Sequence, residues 1–435
     1  MKKHITIYLV FLFAGITNIN AQDYFSFYNL DDYVIQTQNL SPVFIPKNRL
    51  TIAIPGANAG LNFNSGFKIN ELLVKNETTN KLEFDLVNLY ETADKINEMN
   101  IDVSINLFYV AFKRKKGSIT IFANTRATNN WRYTKDFLGI TANGINQDFT
   151  LNEQNEYTGY NEFGVGFTQT FFDDRLAVAI RAKYLNGFIH SSTEDGAQLS
   201  LEIDDPTGYY TIIAEKATVN SAGLNSFSGN GEEFKIFTDN TGFGFDFGAT
   251  FNATKKLTFE IAINDVGSIT WNEDVQNFRI ADTGTEGVLY TGIDLRTETE
   301  LGKETLDQLG SIANSSETSD SFKTELNMKT YLSARYAITE KNTLTLVAFN
   351  THAFDDFKPS YSLGYNRTLS KTTFGALASI GGINNEFLLG ANFAVNLGPL
   401  QIYAATDSLK AIFAKPEEAT GLNLRIGLNL VFGYK

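Results

Sequence analysis

In GLNLRIGLNLVFGYK, residues 421–435, apolar side chains fall on every second residue. Leu422, Leu424, Ile426, Leu428, Leu430, Phe432 and Tyr434 share one face, and Asn423, Arg425, Gly427 and Asn429 share the other. A period of two is that of a β-strand, and this run exceeds the roughly five or six residues usual in a soluble sheet. A strand this long, apolar along one whole side, is suited to crossing something thick.

The pattern recurs in pairs joined by short polar turns. Ile101, Val103, Ile105, Leu107, Tyr109 and Ala111 alternate with Asp102, Ser104 and Asn106, after which KRKKG turns the chain into SITIFANTR. Phe163, Val165 and Phe167 lead through Asp173 and Asp174 to Leu176, Val178, Ile180, Ala182 and Tyr184, with Arg181 and Lys183 opposite. Phe243, Phe245, Phe247 and Phe251 turn at NATKK and return as Leu257, Phe259, Ile261 and Ile263 opposite Glu260. So many one-sided strands cannot cover one another in a sandwich. In lipid they need no cover, and because backbone groups in hydrocarbon must pair within the protein, the strand-built solution is a closed barrel.

The connections alternate in length. Short turns near 113–117, 173–175, 252–256, 339–342, 369–372 and 397–399 interleave with longer excursions at 127–160, 187–240, 266–324, 352–357, 383–385 and 406–420, the asymmetry of an outer-membrane barrel. Thirteen strands follow from residue 101, and ANAGLNFNSGF, about 57–67, supplies one more. The expected fold is all-β, a transmembrane antiparallel barrel of about 14 strands over 57–435, with long outer loops at 187–240 and 266–324. Residues 1–21 read as an export signal, with Lys2 and Lys3 before an apolar run and Ala21 before the cut. Residues 22–56, with Pro42, Pro46 and Pro55, read as an N-terminal plug or periplasmic segment. Leu86, Tyr90, Ala93 and Ile96 have helical spacing and predict a short helix at one barrel mouth.

The chain has no cysteine, so a lipoprotein anchor, a disulfide and a thiolate metal site are all excluded. Residues 186–240 carry nine acidic side chains against two basic, and 267–323 eleven against four, so these two excursions hold essentially all of the net charge of -13. That balance disfavours nucleic acid. The acidic stretches at Asp204–Pro206 and near Glu232 lack regular ligand spacing, so no metal is expected, and no cofactor fingerprint is present. His190 in FIHSST and His352 in NTHAFDD fall near strand ends. Each invites comparison with a membrane hydrolase, but a polar residue at headgroup level is the plainer reading. By parity with the apolar faces, Asp102, Arg181, Lys183, Asp246, Glu260, Arg335 and Arg425 project into the lumen, either to orient a solute or to fill the barrel with ion pairs.

TQNLSPVFIPKNRLTIAIPG (37–56), INDVGSITW (263–271) and the last hairpin from Leu397, with Asp407 in it, resemble an uncharacterised branch of the FadL-like barrels. That group includes the long-chain fatty acid transporters and the PorV-type and PorP-type proteins of type IX secretion; here Ser41, Pro42 and Val43 stand where it carries Asn-Pro-Ala. The resemblance implies a 14-stranded outer-membrane barrel without enzymatic activity. It implies either transport of hydrophobic or amphipathic small molecules through a plugged lumen, or a non-transporting scaffold bound to secretion-complex proteins. The aromatic-rich final strand suits recognition by the barrel-insertion machinery, with Gly421, Leu428, Leu430, Phe432 and Tyr434 as its signal, and the apolar faces take outer-membrane lipid as their partner.

Overall fold

The computed structural model describes residues 24–75, 81–143, 147–203, 209–225, 235–284, 287–290, 316–352, 359–381 and 386–433. Fourteen antiparallel strands close a barrel: β1 (Leu50–Asn64), β2 (Ile96–Arg114), β3 (Gly117–Thr134), β4 (Gln154–Phe171), β5 (Leu176–Thr193), β6 (Thr241–Asn252) and β7 (Leu257–Trp271), then β8 (Lys329–Thr339), β9 (Asn342–Thr351), β10 (Ser360–Thr368), β11 (Thr372–Gly381), β12 (Glu386–Leu397), β13 (Leu400–Thr406) and β14 (Gly421–Phe432). Each pairs with its neighbours in sequence, and β14 pairs with β1 from Leu50↔Phe432 to Asn64↔Gly421, closing the ring. Closure leaves no sheet edge unpaired, as a wall in hydrocarbon requires. No helix among the described residues is long and apolar enough to cross a membrane.

The outer face is apolar. Phe243, Phe245 and Phe247 on β6, Ile180 and Tyr184 on β5, and Ile426 and Phe432 on β14 are all exposed, while the alternate residues Lys183, Asp246, Asn423 and Asn429 are buried. The short turns fall where the alternation places them. The strands run further than the alternation suggests, however. β3 and β4 continue to Thr134 and from Gln154, through residues expected to lie in the 127–160 loop, and β5 continues to Thr193. β2 to β5 are 18 or 19 residues long, against 9 to 11 for β8 to β11, so the wall stands tall on one side and low on the other. Above the tall side, residues 149–151, 198–203, 210–215 and 288–290 form a separate four-stranded sheet.

Three expectations need correction. The first wall strand begins at Leu50, not near residue 57, so Pro55 belongs to the wall. Pro55 is tolerated there because register with both neighbours breaks around it, between Ala53 and Asn58 on the β14 side and between Ile52 and Ala59 on the β2 side; a bulge is where a strand can accept a residue without an N–H. The helix α1 runs Leu86–Thr92, with Asn88 N–H donating to the cap Asp85 at 2.9 Å. It stops before Ile96, which pairs with Thr134 as the first residue of β2. Finally, Leu107 is an extra residue in β2, since Asn106 pairs with Asn124 and Phe108 with Ala123. That bulge flips every later side chain to the other face, so Tyr109 and Ala111 are fully buried inside and Phe108 and Phe112 are exposed outside.

Candidate functional site

Seven consecutive strands, β2 to β8, supply a compact set of charges to the barrel interior. Lys183 of β5 donates to Asp246 of β6 at 2.6 Å and to Asp265 of β7 at 2.5 Å. Arg126 of β3 reaches both oxygens of Asp265 at 2.9 Å and lies 3.8 Å from Asp102 and from Glu162. Lys329, at the start of β8, donates to Asp102 at 2.8 Å. Arg181 Nε is 3.6 Å from Asp246, and its guanidinium lies 3.8 Å from the centre of the Phe122 ring. Lys183 and Arg181 are each only 2% exposed; a charge buried so deeply persists only with opposite charges and hydrogen bonds around it. A polar cavity of about 40 Å³ lies among these residues, bordered also by Asn106, Asn124 and Arg425. It has room for a few waters.

Asp265 enters this set through backbone geometry. Alternation through Ile261 and Ile263 assigns it to the lipid face, but it adopts φ +63° and the ladder shifts between Phe245↔Val266 and Phe247↔Ile263. The extra residue turns the carboxylate inward. Tyr109, turned in by the bulge at Leu107, stacks on Phe122 with ring centroids 5.5 Å apart.

Residues 24–48 lie against these inward side chains. Tyr24, Phe25, Phe27, Tyr28 and Leu30 are each 1% exposed. Tyr24 Oη donates to Asp102 at 3.3 Å, and Arg425 sits 3.9 Å above its ring. Tyr28 donates to Glu260 at 2.5 Å and to Ser333 at 2.9 Å. Arg335 of β8 binds Asp31 at 2.5 Å and Glu260 at 3.0 Å. Arg181 donates to the Gln38 carbonyl at 2.5 Å and to Asn39 at 2.9 Å. Gln36 donates to Asn58 of β1 at 3.3 Å and to Asn429 of β14 at 2.6 Å. Two inner-wall glycines make room for this segment: a Cβ on Gly364 would collide with Asn29, and one on Gly390 with Ser26.

Six of the seven residues singled out by parity fall into two groups. Asp102, Arg181, Lys183 and Asp246 meet in the first set, Glu260 and Arg335 in a second around Asp31, and Arg425 stacks on Tyr24 between β1 and β13. Parity did not single out Arg126, Glu162, Asp265 or Lys329. Glu162 precedes Phe163 and has the same inward parity, so alternation carried a signal for it. Arg126 stands at a strand limit that the alternation drew too short, Lys329 begins its strand a few residues after the 266–324 excursion, and Asp265 needed the bulge. On β14, Leu428 faces outward opposite Ile402, Leu430 opposite Ile52, and Phe432 is exposed. Gly421 lies so close to the Phe63 carbonyl that a Cβ would collide with it. Tyr434, Asp204–Pro206, Glu232 and residues 1–21 lie outside the described residues.

His190 is fully buried. Its Nδ1 is 3.0 Å from Thr158 Oγ1, its Nε2 is 3.0 Å from Ser192 Oγ, and its ring stacks on Trp271 with centroids 4.9 Å apart. Hydroxyl and aromatic packing surround it, and the described residues place no carboxylate within hydrogen-bonding distance of its ring. His352 lies at the far end of β9, its N–H bonded to the Met328 carbonyl at 3.0 Å.

Strand number, closure, an apolar exterior and a charged interior define the class: a membrane-type antiparallel β-barrel of 14 strands. The chain belongs to the family of unknown function DUF5723, whose model matches residues 42–407. No curated protein matches the sequence. Among solved structures it is similar to the Pseudomonas putida toluene transporter TodX, with 10% identity over 95% of this chain and 98% of that one and a TM-score of 0.43. The Ralstonia pickettii toluene transporter TbuX aligns at 7% identity over 91% and 93%, TM-score 0.40. A Pseudomonas aeruginosa FadL homologue aligns at 10% identity over 89% and 90%, TM-score 0.39.

Proposed function

We propose that the protein is an outer-membrane barrel that passes hydrophobic or amphipathic small molecules, with residues 24–48 as a plug that closes it at rest. The observation that carries this reading is how the segment is held. Residues 24–48 are held against the inner wall by side-chain hydrogen bonds, ion pairs and stacked rings, contacts that exchange for water or solute without breaking the wall. A second feature adds support. Around Pro55 the β1 ladder is interrupted on both sides, and the gap is bridged by Asn58, which donates to the Ile54 and Leu428 carbonyls at 3.1 Å each, and by Gln36 from the plug. Movement of the plug would therefore also loosen the wall's weakest point, where an apolar solute can leave sideways into lipid.

One observation favours a second reading, a non-transporting barrel that serves a secretion or surface-assembly complex. The cavity among the buried charges is small, about 40 Å³, and bordered mostly by polar and charged side chains. A locked plug separates the two. In a chain without cysteine, Val43→Cys with Gly248→Cys places two β-carbons 3.2 Å apart, within a small adjustment of disulfide reach. For a conduit, uptake of a hydrophobic tracer into proteoliposomes stops on oxidation and returns on reduction. Uptake that is absent in the unmodified protein, or unchanged by the lock, selects the scaffold.

A further inference from the structure

The lipid-facing side of β6 to β10 is not a uniform apolar surface. The register sets Ala249 beside Ile261, Ile261 beside Leu332, Leu332 beside Ala348 and Ala348 beside Tyr361. In the next row, Phe251, Phe259, Ala334 and Leu346 stand side by side. The three alanines sit low between large neighbours and open a groove of about 680 Å³. It extends from Leu176 and Phe251, near the short turns, to His352 and Pro359 at the opposite end, so it follows the height of the wall. This is also the low side of the barrel. Just across its rim is a polar vestibule of about 530 Å³, bordered by Glu156, Asp195, Glu325 and Asn327, with no lysine or arginine among its described lining residues. His352 borders both spaces.

We propose that the groove holds an acyl chain of a membrane lipid whose head carries a protonated amine, and that this head turns over the rim past His352 into the vestibule. The groove is walled by side chains that the barrel presents to hydrocarbon, so its occupant comes from the bilayer. There the bulk lipid is as apolar as the wall, and a bound chain is selected by close packing between Phe251, Phe259, Leu332 and Leu346, through many small dispersion contacts. Charge selects the head. Glu156, Asp195 and Glu325, on a rim whose described lining includes no lysine or arginine, disfavour a free fatty acid or a purely anionic head and favour an ammonium group. The site rests on the wall being embedded in lipid, and it is independent of whether the lumen conducts.

Native mass spectrometry of the full chain, extracted in mild detergent, tests this with phosphatidylethanolamine, phosphatidylglycerol and oleic acid of matched chain length. The expected result is one phosphatidylethanolamine held in preference to the other two. Ala348→Phe fills the groove and weakens retention about tenfold, while Glu325→Gln leaves retention of the tail but lowers the preference over phosphatidylglycerol. Ala334→Leu, a smaller change, gives the same direction if the phenylalanine variant does not fold. Equal retention by folded groove-filled variants, tighter binding of oleate or phosphatidylglycerol, or no retained lipid overturns the site. Failure of the unmodified chain to partition into detergent would instead overturn the membrane assignment beneath it.

Discussion

Lys183 holds Asp246 and Asp265 together in a place water hardly reaches. Charges so placed attract strongly, but each has given up its hydration, so the arrangement is stable only while it is complete. Lys183→Ala leaves two carboxylates facing each other, and the expected cost is about 3 to 5 kcal/mol, seen as a lower unfolding temperature of the detergent-solubilised barrel. Adding Asp246→Asn recovers part of that loss; a double variant no more stable than the single one would show that the ion pair is not what Lys183 contributes. Alternation placed Lys183 and Asp246 inside because both lie in unbroken stretches of period two. It misplaced Tyr109 because one inserted residue, Leu107, is invisible to a pattern that counts in twos. Asp265 was the detectable exception, since a carboxylate on a lipid-facing register is itself a sign that the register has shifted.

At the scale of the element, strands and tight turns were legible because lipid on one side and a polar interior on the other impose opposite demands on neighbouring residues. Strand ends were not. Where β3 and β4 rise above the hydrocarbon, the outward face no longer has to be apolar, so the pattern fades while the hydrogen-bonded ladder continues. β14 remains within the strict pattern at Leu428, and Leu428→Arg would place a charge toward lipid at a cost of about 2 to 4 kcal/mol if it lies near the midplane. The expected outcome is loss of the folded, heat-modifiable band on unheated gels, and normal folding would remove Leu428 from the lipid face. Outside the spanning strands, Glu273 anchors the 235–240 stretch, accepting from Lys235 at 2.5 Å and from the Asp239 N–H at 2.7 Å. The Lys235 hydrogen bond, then that from Asp239, holds its carboxyl below the ordinary value of 4.5. A depressed carboxyl stabilises the folded form at neutral pH and ceases to do so as pH falls through its folded value. Proteolysis after Lys235 should therefore accelerate below pH 4.5, and Glu273→Gln should make cleavage fast at pH 7 as well and remove most of the acid dependence.

For the whole molecule, the barrel and the position of its short turns followed from the sequence, while the way residues 24–48 lie against the inner wall did not. Their hydrogen bonds reach strands that are hundreds of residues away, as from Ser26 to Thr406 and from Gln36 to Asn429, and no local pattern encodes such distances. Gln36→Ala should cost about 1 to 3 kcal/mol by leaving Asn58 and Asn429 short of partners in a buried site. The loss is expected in the yield of folded barrel from refolding, whereas an unchanged yield would make Gln36 a passive filler.

Gln36 touches the first strand and the last, on either side of the line where the sheet meets itself. A barrel made from one chain must find that line after every other strand has been laid down, and the register there decides whether the ring is sound. A side chain that spans the line from inside can bind both edges well only when they meet in one alignment. The segment that lies against the inner wall thereby doubles as a gauge for its closure, and rings closed out of step would be left without their clasp.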